Sequence, residues 1–310
     1  MFTKMAFESR DVSMLRIFTI LFALIVLVLP GNSQLLYKVE GNGLAAPSYI
    51  FGTHHRVPLS ILDSIPSWKS AFEGSEQVVG EVDLSGGQMS VAMRMQPYMM
   101  APVDSTLSKI LSKEDYARAS CEFKKIVPDN MLDLSTLDML KPQSISALVT
   151  KVIYDKDFNP QESQQQLDSY FQTLARENGK TIVGLETVEQ QAELLFCTRP
   201  IKDQAESLLE ILDNPEELAE EAAKLTDSYM KQDLRALLEI SEKEKENDES
   251  AKNFFHLVLD KRNADWISKL PGIMAEAPSF IAVGALHLAG DTGIVEGLRS
   301  KGFTVIPVRK

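Results

Sequence analysis

Four short apolar segments, each containing a glycine and ending near a histidine or a glutamate, constrain the fold of this 310-residue chain most strongly. Their continuous β-branched and aromatic runs are typical of strands buried on both faces, as in a parallel sheet covered by helices. The segments are residues 49–55, 78–83, 181–186 and 280–287. A further run over residues 303–308 predicts one more strand, which follows a short helix.

Helical patterns occupy the chain between these strands. Thr187 is followed three residues later by Gln190, which is a capping-box pattern for a helix start. A helical insertion is predicted over about residues 89–160 and a helical region over about residues 188–270. The sequence therefore predicts an α/β fold with a central, largely parallel sheet flanked by helices and a long helical insertion. We expect residues 34–310 to form a single domain, because the first and last of the four segments both contribute to one proposed site.

The N-terminal region contains an apolar run over residues 17–29, preceded by Arg16 and ended by Pro30. As a helix, this run would span about 20 Å, which is short of the roughly 30 Å hydrocarbon core of a bilayer. It predicts a signal peptide over residues 1–33, hence an exported protein, periplasmic or secreted, with no stable membrane span after cleavage. An uncleaved membrane anchor is the alternative. Three methionines are candidate starts: Met1, Met5 and Met14.

The charge balance excludes one class of partner. The chain has 32 Lys+Arg against 44 Asp+Glu, a formal net charge of −12 at pH 7. We therefore expect no nucleic-acid partner and no attraction to an anionic membrane surface.

The two cysteines, Cys121 and Cys197, are too few for a Cys-based zinc module or an iron–sulfur cluster. In an exported chain they could form a disulfide, and two free thiols are the alternative.

The candidate site consists of the polar residues that follow the four predicted strands. In an open parallel sheet, ligands bind beyond the carboxyl ends of the strands. The residues at those ends are His55, Glu81, Glu186 and His287. Two imidazoles and one carboxylate are the usual ligands of a catalytic divalent metal, and a second carboxylate could then act as general base. His54 is expected to point away from the site, because successive strand residues face opposite sides.

Each of these residues also has a structural interpretation. A single histidine after a strand is often a hydrogen-bonded structural residue, and a glutamate there is often satisfied by backbone donors. The Gly-x-x-His pattern occurs twice in a chain with four histidines, which favours the functional interpretation for His55 and His287.

A helix predicted over residues 250–270 adds a charge to this set. Its apolar stripe includes Arg262, seven residues after Phe255, with Asn263 beside it. Because a charge on a buried stripe must be paired, carboxylates are its expected partners. Arg262 would steer a site carboxylate or stabilise an oxyanion. A structural ion pair, or a guanidinium that reaches the surface, is the alternative.

Five short motifs occur in a fixed order along the chain. They are Gly52-Thr53-His54-His55, Gly80-Glu81-Val82-Asp83, Gly184-Leu185-Glu186-Thr187 with Gln191, Arg262-Asn263, and Gly284-Ala285-Leu286-His287-Leu288. Together they resemble the TraB/PrgY/GumN family, to which the Tiki membrane proteases are also similar. The resemblance extends from about Leu36 to Val308. Since no membrane helix follows the last motif, the likeness is to the soluble, exported GumN-like branch.

The resemblance implies an α/β fold with inserted helices and a metal-dependent hydrolase site. The residues carried over are His55, Glu81, Glu186, Arg262, Asn263 and His287. We expect an exported metalloprotease-like peptidase that binds a divalent ion, zinc, manganese or cobalt. His55, His287 and either Glu81 or Glu186 would bind the ion, and the other glutamate would be the base. The alternatives are a non-catalytic protein that binds a peptide or another small molecule, and a hydrolase that uses His/Glu chemistry without metal.

Overall fold

The structure is a computed structural model that describes residues 34–127, 132–156, 165–243 and 249–308. The predicted signal peptide, residues 1–33, lies outside the described residues. The C-terminal end of the predicted helical insertion, residues 157–160, also lies outside them.

Six strands of the described chain form one mixed sheet. They are β1 Leu36–Glu40, β2 Ser48–Thr53, β3 Gln77–Val82, β4 Thr181–Glu186, β5 Ser279–Gly284 and β6 Thr304–Pro307. Their order across the sheet is β4-β3-β5-β2-β1-β6. The pairs β2–β5, β3–β5 and β3–β4 are parallel, whereas β1 runs antiparallel to both β2 and β6. The carboxyl ends of four parallel strands therefore meet at one edge of the sheet.

Helices cover both faces of this sheet and form the insertions between its strands. They are α1 Ser67–Glu73, α2 Gly87–Met99, α3 Leu107–Ile110, α4 Lys113–Ile126, α5 Pro142–Lys156, α6 Leu167–Glu177, α7 Val188–Cys197, α8 Ile201–Asp213, α9 Pro215–Met230, α10 Leu234–Lys243, α11 Glu249–Phe255, α12 Arg262–Glu276 and α13 Ile294–Ser300. Short 3-10 helices cover Leu59–Ser64 and Ala285–Leu288. The predicted α/β class, with its largely parallel sheet and long helical insertion, is confirmed.

Hydrophobic side chains of the described residues gather in two clusters. The larger one packs helices on the sheet, with Phe51, Phe171 and Phe280 in mutual ring contact at 4.9–6.1 Å between centroids. The smaller one lies among α3, α4, α5 and α8, where Phe123 and Leu208 are fully buried. This second cluster therefore holds the helices of the insertion together and packs them on α8.

Two features of the fold differ from the sequence prediction. Strand β1 was not predicted, although Gly41, Asn42 and Gly43, all with positive φ, begin the connection over residues 41–47 that leads to its partner β2. The helix predicted over residues 250–270 is interrupted by a π-helical segment, His256–Lys261, and its last part continues to Glu276.

The cysteines and the helix lengths complete the description. Cys121 and Cys197 are both exposed and unpaired, so of the two alternatives the structure has free thiols, although neither is buried. Within the described ranges, no helix combines the length and the apolar character that crossing a membrane requires.

Two helical glycines provide a matched test of this packing. A Cβ atom on Gly297 in α13 would lie 2.8 Å from Cγ1 of Ile267, whereas a Cβ on Gly272 in α12 would meet no atom within 4 Å. Gly297→Ala should therefore lower the free energy of unfolding by about 1–3 kcal/mol through overpacking. Gly272→Ala should raise it by up to about 1 kcal/mol, because alanine has the better helix propensity. Urea denaturation measures both, and a Gly297→Ala protein as stable as Gly272→Ala would contradict the described packing.

Candidate functional site

The predicted site residues follow the carboxyl ends of the parallel strands, where the structure brings them together. A cleft of about 710 Å³ opens at this edge, and His55, Glu81, Arg262 and His287 all line it. Glu186 is also close, at the end of β4, but it is not among the described residues that line the cleft. The two glutamates are therefore not equivalent, because only Glu81 faces the open space.

The guanidinium of Arg262 connects the two glutamates. Nη2 donates to Oε2 of Glu81 at 2.7 Å and to Oε1 of Glu186 at 2.6 Å, and Nε donates to Oε2 of Glu186 at 3.2 Å. The three side chains are 8–12% exposed, so this is a buried ion-pair network. The predicted pairing of Arg262 with site carboxylates is confirmed. Buried charges of this kind are stable only when they are paired and hydrogen-bonded.

Further contacts fix this network in place. The Nε2 amide of Gln191 donates to both glutamates at 3.1 Å, and α7, which carries Gln191, begins with the predicted capping box at Thr187. On the other side, the guanidinium carbon of Arg262 lies 4.5 Å from the centre of the Trp266 ring, a cation–π contact.

The two glutamates also differ in their acidity. Burial acts to raise the pKa of Glu81, but His287 and Arg262, together with the amide hydrogen bond from Gly284 at 3.0 Å, lower it to about 2. For Glu186, burial outweighs the hydrogen bond from Arg262 and raises the pKa above the usual value. At neutral pH, Glu81 is therefore a fixed anion on the cleft wall.

His287 is held by Asn263. Nδ1 of the buried imidazole lies 2.6 Å from Oδ1 of Asn263, whose amide nitrogen donates to the carbonyl of Thr292 at 3.0 Å. Because the amide oxygen can only accept, Nδ1 carries the proton and Nε2 presents its lone pair. The Nε2 atom lies 3.1 Å from Nη1 of Arg262 and 3.9 Å from Oε1 of Glu81. Burial lowers the pKa of His287 to about 4, so the ring is neutral at pH 7.

His55 is held by a carboxylate. Its Nδ1 lies 3.0 Å from Oδ2 of Asp168, and the hydroxyl of Thr53 donates to Oδ1 of the same aspartate at 2.6 Å. The Asp168 charge raises the pKa of His55 to about 9, so the ring is protonated at neutral pH. The His55 side chain is 58% exposed and lines the cleft.

The prediction that His54 points away from the site is wrong. Strand β2 ends at Thr53, so the alternation of side chains does not extend to His54. The His54 ring instead packs on the Tyr229 ring, with 5.1 Å between centroids, and lines the same cleft. Tyr229 is fully buried and donates to the carbonyl of Gly52 at 2.8 Å. His54 thus packs inward against the last turn of α9.

The donor chemistry of the site fits a divalent metal, although the donors do not surround one point. Metal-binding histidines almost always donate the other ring N–H to an oxygen, as His287 does to Asn263 and His55 to Asp168. Across the described ranges, however, no three His, Cys, Asp or Glu side chains converge closely enough to hold an ion. Arg262 Nη1 also lies beside Nε2 of His287, so the guanidinium and an ion would compete for that lone pair.

Two functional contacts escaped sequence reasoning. Asp168 lies on α6, more than a hundred residues along the chain from its partner His55. None of the five sequence motifs contains it. Trp266 is not among the predicted site residues, yet its ring packs against that of His287, with 4.4 Å between centroids. The helical period could have indicated Trp266, because it places that residue one turn after Arg262.

Comparison with known proteins agrees with the ordered motifs. The profile of the TraB/PrgY/gumN family matches residues 35–307, so the chain belongs to this family. No curated protein and no solved structure matches the chain significantly.

The Arg262 network predicts a large stability effect. Arg262→Met would leave two buried carboxylates unpaired and should lower the free energy of unfolding by about 3–5 kcal/mol. Arg118 is a matched control, since it also lies between two carboxylates, Asp115 and Asp213, but at the surface. Arg118→Met should cost about 1 kcal/mol or less. Thermal and urea denaturation measure both variants.

A second variant separates loss of charge pairing from loss of packing. Adding Glu81→Gln and Glu186→Gln to Arg262→Met removes the unpaired anions and should recover most of the lost stability. Equal costs for Arg262→Met and Arg118→Met would show that the Arg262 network is not buried as described.

Proposed function

We propose that this member of the TraB/PrgY/gumN family is an exported, metal-dependent hydrolase of peptides. One observation carries the proposal: two imidazoles, each with Nδ1 held by an oxygen, share a cleft with an ionised glutamate. A peptide carbonyl is the electrophile for which such a site, with a guanidinium beside it, has the right groups. The export half of the proposal is supported by the signal-peptide pattern of residues 1–33.

His55, His287 and Glu81 are the residues that would hold the ion, with zinc, manganese and cobalt as candidates. Glu81 is favoured over Glu186 as the third ligand because Glu81 lines the cleft and keeps a depressed pKa. When bound, the ion would supply Lewis acidity and lower the pKa of an attacking water.

The chain's own residues divide the remaining tasks. Arg262 would stabilise the oxyanion that develops on the attacked carbonyl, because its side chain lines the cleft beside His287. Glu186 would act as a positioning residue, since it holds Arg262 through two hydrogen bonds. Asn263, fully buried, would act through His287 rather than touch a substrate. Among the described residues that line the cleft, Glu81 is the one glutamate, so it would also accept the proton of the attacking water.

A second candidate follows from the contact between Arg262 and His287. With Nη1 of Arg262 at 3.1 Å from Nε2 of His287, the site is a closed network that needs no ion to be satisfied. That arrangement suits a binding protein for peptides or other small molecules, or a His/Glu hydrolase without metal. Metal content and turnover, measured on the same sample, separate these possibilities.

The histidine pair gives the direct test. The double variant His55→Ala, His287→Ala should lose both the bound divalent ion, measured by elemental mass spectrometry, and cleavage of a peptide library, read by mass spectrometry with each candidate ion added. His256→Ala is the matched control, because this histidine is 65% exposed and pairs with Asp260 outside the cleft. Unchanged metal content in the double variant would rule out the ligand assignment. Cleavage that survives complete chelation would support the metal-independent hydrolase instead.

Asp168 provides a test of positioning. Asp168→Asn should weaken metal binding by about 10- to 100-fold, the usual effect of removing an outer partner of a ligating histidine. A competition titration against a coloured chelator measures the affinity without any substrate. Asp265→Asn is the control, since Asp265 pairs with Lys269 at the surface. Equal affinities in the two variants would show that Asp168 does not position His55 for an ion.

A further inference from the structure

A second cavity adjoins the cleft and extends it into a groove. It has a volume of about 790 Å³ and shares His55, Arg56, Lys151 and Gln166 with the cleft. Because the shared residues form the boundary of both spaces, the groove begins at His55 and continues away from His287. A ligand bound at the site can therefore extend into it.

Two facing helices form the walls of this groove. Helix α2 contributes Val91, Ala92 and Met95, which are spaced as one helical face and present an apolar surface. Helix α6 contributes Ser169, Thr173 and Arg176, a hydrogen-bonding face at the same helical spacing. The groove thus has one apolar and one polar wall, which suits a chain that carries both side chains and backbone amides.

The apolar wall has an unusual construction. None of the residues of α2 is buried, and the helix is attached to α7 by a bidentate pair between Arg94 and Glu189, with both hydrogen bonds at 2.6 Å. Methionine side chains are flexible and adapt to different apolar partners. Met95 on the groove side is therefore suited to accept side chains of varied shape.

The charge of the groove is opposite to that of the chain. The described residues that line it include three Arg and Lys side chains, Arg56, Lys151 and Arg176, the protonated His55, and one carboxylate, Asp155. Asp155 already pairs with both Arg56 and Lys151. Arg176 contacts the carbonyl of Ser85 and the hydroxyl of Thr173, each at 3.4 Å, and pairs with no carboxylate in the part of the chain that the structure describes. In a chain of net charge −12, a cationic groove points to an anionic ligand group.

We propose that this groove binds an extended peptide substrate with an acidic side chain, whose carboxylate pairs with Arg176 while a neighbouring apolar side chain packs on α2. The proposal rests on the proposed function, because it places the bond to be cleaved at the His55 end of the groove. It identifies acidic peptides, rather than peptides in general, as the preferred substrate class.

Paired peptides test the charge preference. Fluorescein-labelled peptides that differ only by Glu or Gln at one scanned position are titrated with the full chain under chelation, and binding is read by fluorescence anisotropy. The Glu peptide should bind roughly three- to fivefold more tightly at one position, the size expected for an exposed ion pair. Arg176→Gln should remove that difference. Arg118→Gln, at a surface pair outside the groove, should keep it.

A second variant tests the apolar wall. Met95→Glu should weaken binding of both peptides, because it places a carboxylate on the apolar wall. Met93→Glu is the control, since Met93 is on the same helix, is 66% exposed and does not line the groove. Circular dichroism verifies that each variant is folded.

The outcomes separate this proposal from the proposed function. Equal binding of all Glu and Gln pairs, or a preference that persists in Arg176→Gln, would overturn the groove assignment, and so would tight binding of an anionic oligosaccharide without binding of any peptide. Cleavage without an acidic preference would overturn the groove and leave the hydrolase intact. Binding that depends on Arg176, without cleavage under any ion, would support the groove and refute the hydrolase.

Discussion

The buried Arg262 guanidinium is the constraint on which the rest of the site depends. A cation with 12% exposure is stable only beside anions, and Glu81 and Glu186 supply them from the ends of two neighbouring strands. The pair in turn requires β3 and β4 to be adjacent and parallel, with Val82 opposite Glu186. The charge of Arg262 can therefore be buried only because the strand order places β3 beside β4.

The same constraint explains why glycines occur at the strand ends. A Cβ on Gly284 would lie 3.3 Å from Oε1 of Glu81, the oxygen that accepts the Gly284 amide hydrogen bond. At Gly184, a Cβ would lie 2.8 Å from the backbone nitrogen of Asp83, the residue that follows the neighbouring strand β3. Larger side chains would push the strands and the carboxylate apart. Glycine is therefore needed at these positions because neighbouring atoms lie close to the backbone, not because the chain turns there.

The parts of the structure that could be predicted are those governed by local pattern. Apolar runs identified the parallel strands, the Thr187–Gln190 spacing identified a helix start, and the helical period placed Arg262 on a buried face, where carboxylates had to be near. The π-helical segment before Arg262 and the inward packing of His54 on Tyr229 depend on tertiary contacts that no local pattern encodes. Asp168 could not be found for the same reason, because its meaning arises only when α6 packs beside the end of β2.

The repeated Gly-x-x-His motif does not produce a repeated chemical role. His287 is buried against a neutral amide, so its pKa falls to about 4 and it presents a lone pair. His55 is paired with a carboxylate, so its pKa rises to about 9 and it presents a proton donor. Without an ion, the cleft therefore contains one neutral imidazole, His287, and one protonated imidazole, His55. Binding of an ion at Nε2 of His55 would displace the Nε2 proton, whereas the Nδ1 proton would stay hydrogen-bonded to Asp168, whose charge would then stabilise the ligating ring. The Asp168 carboxylate therefore suits either state of His55, and the partners of the two histidines, not the motif itself, determine how the two rings differ.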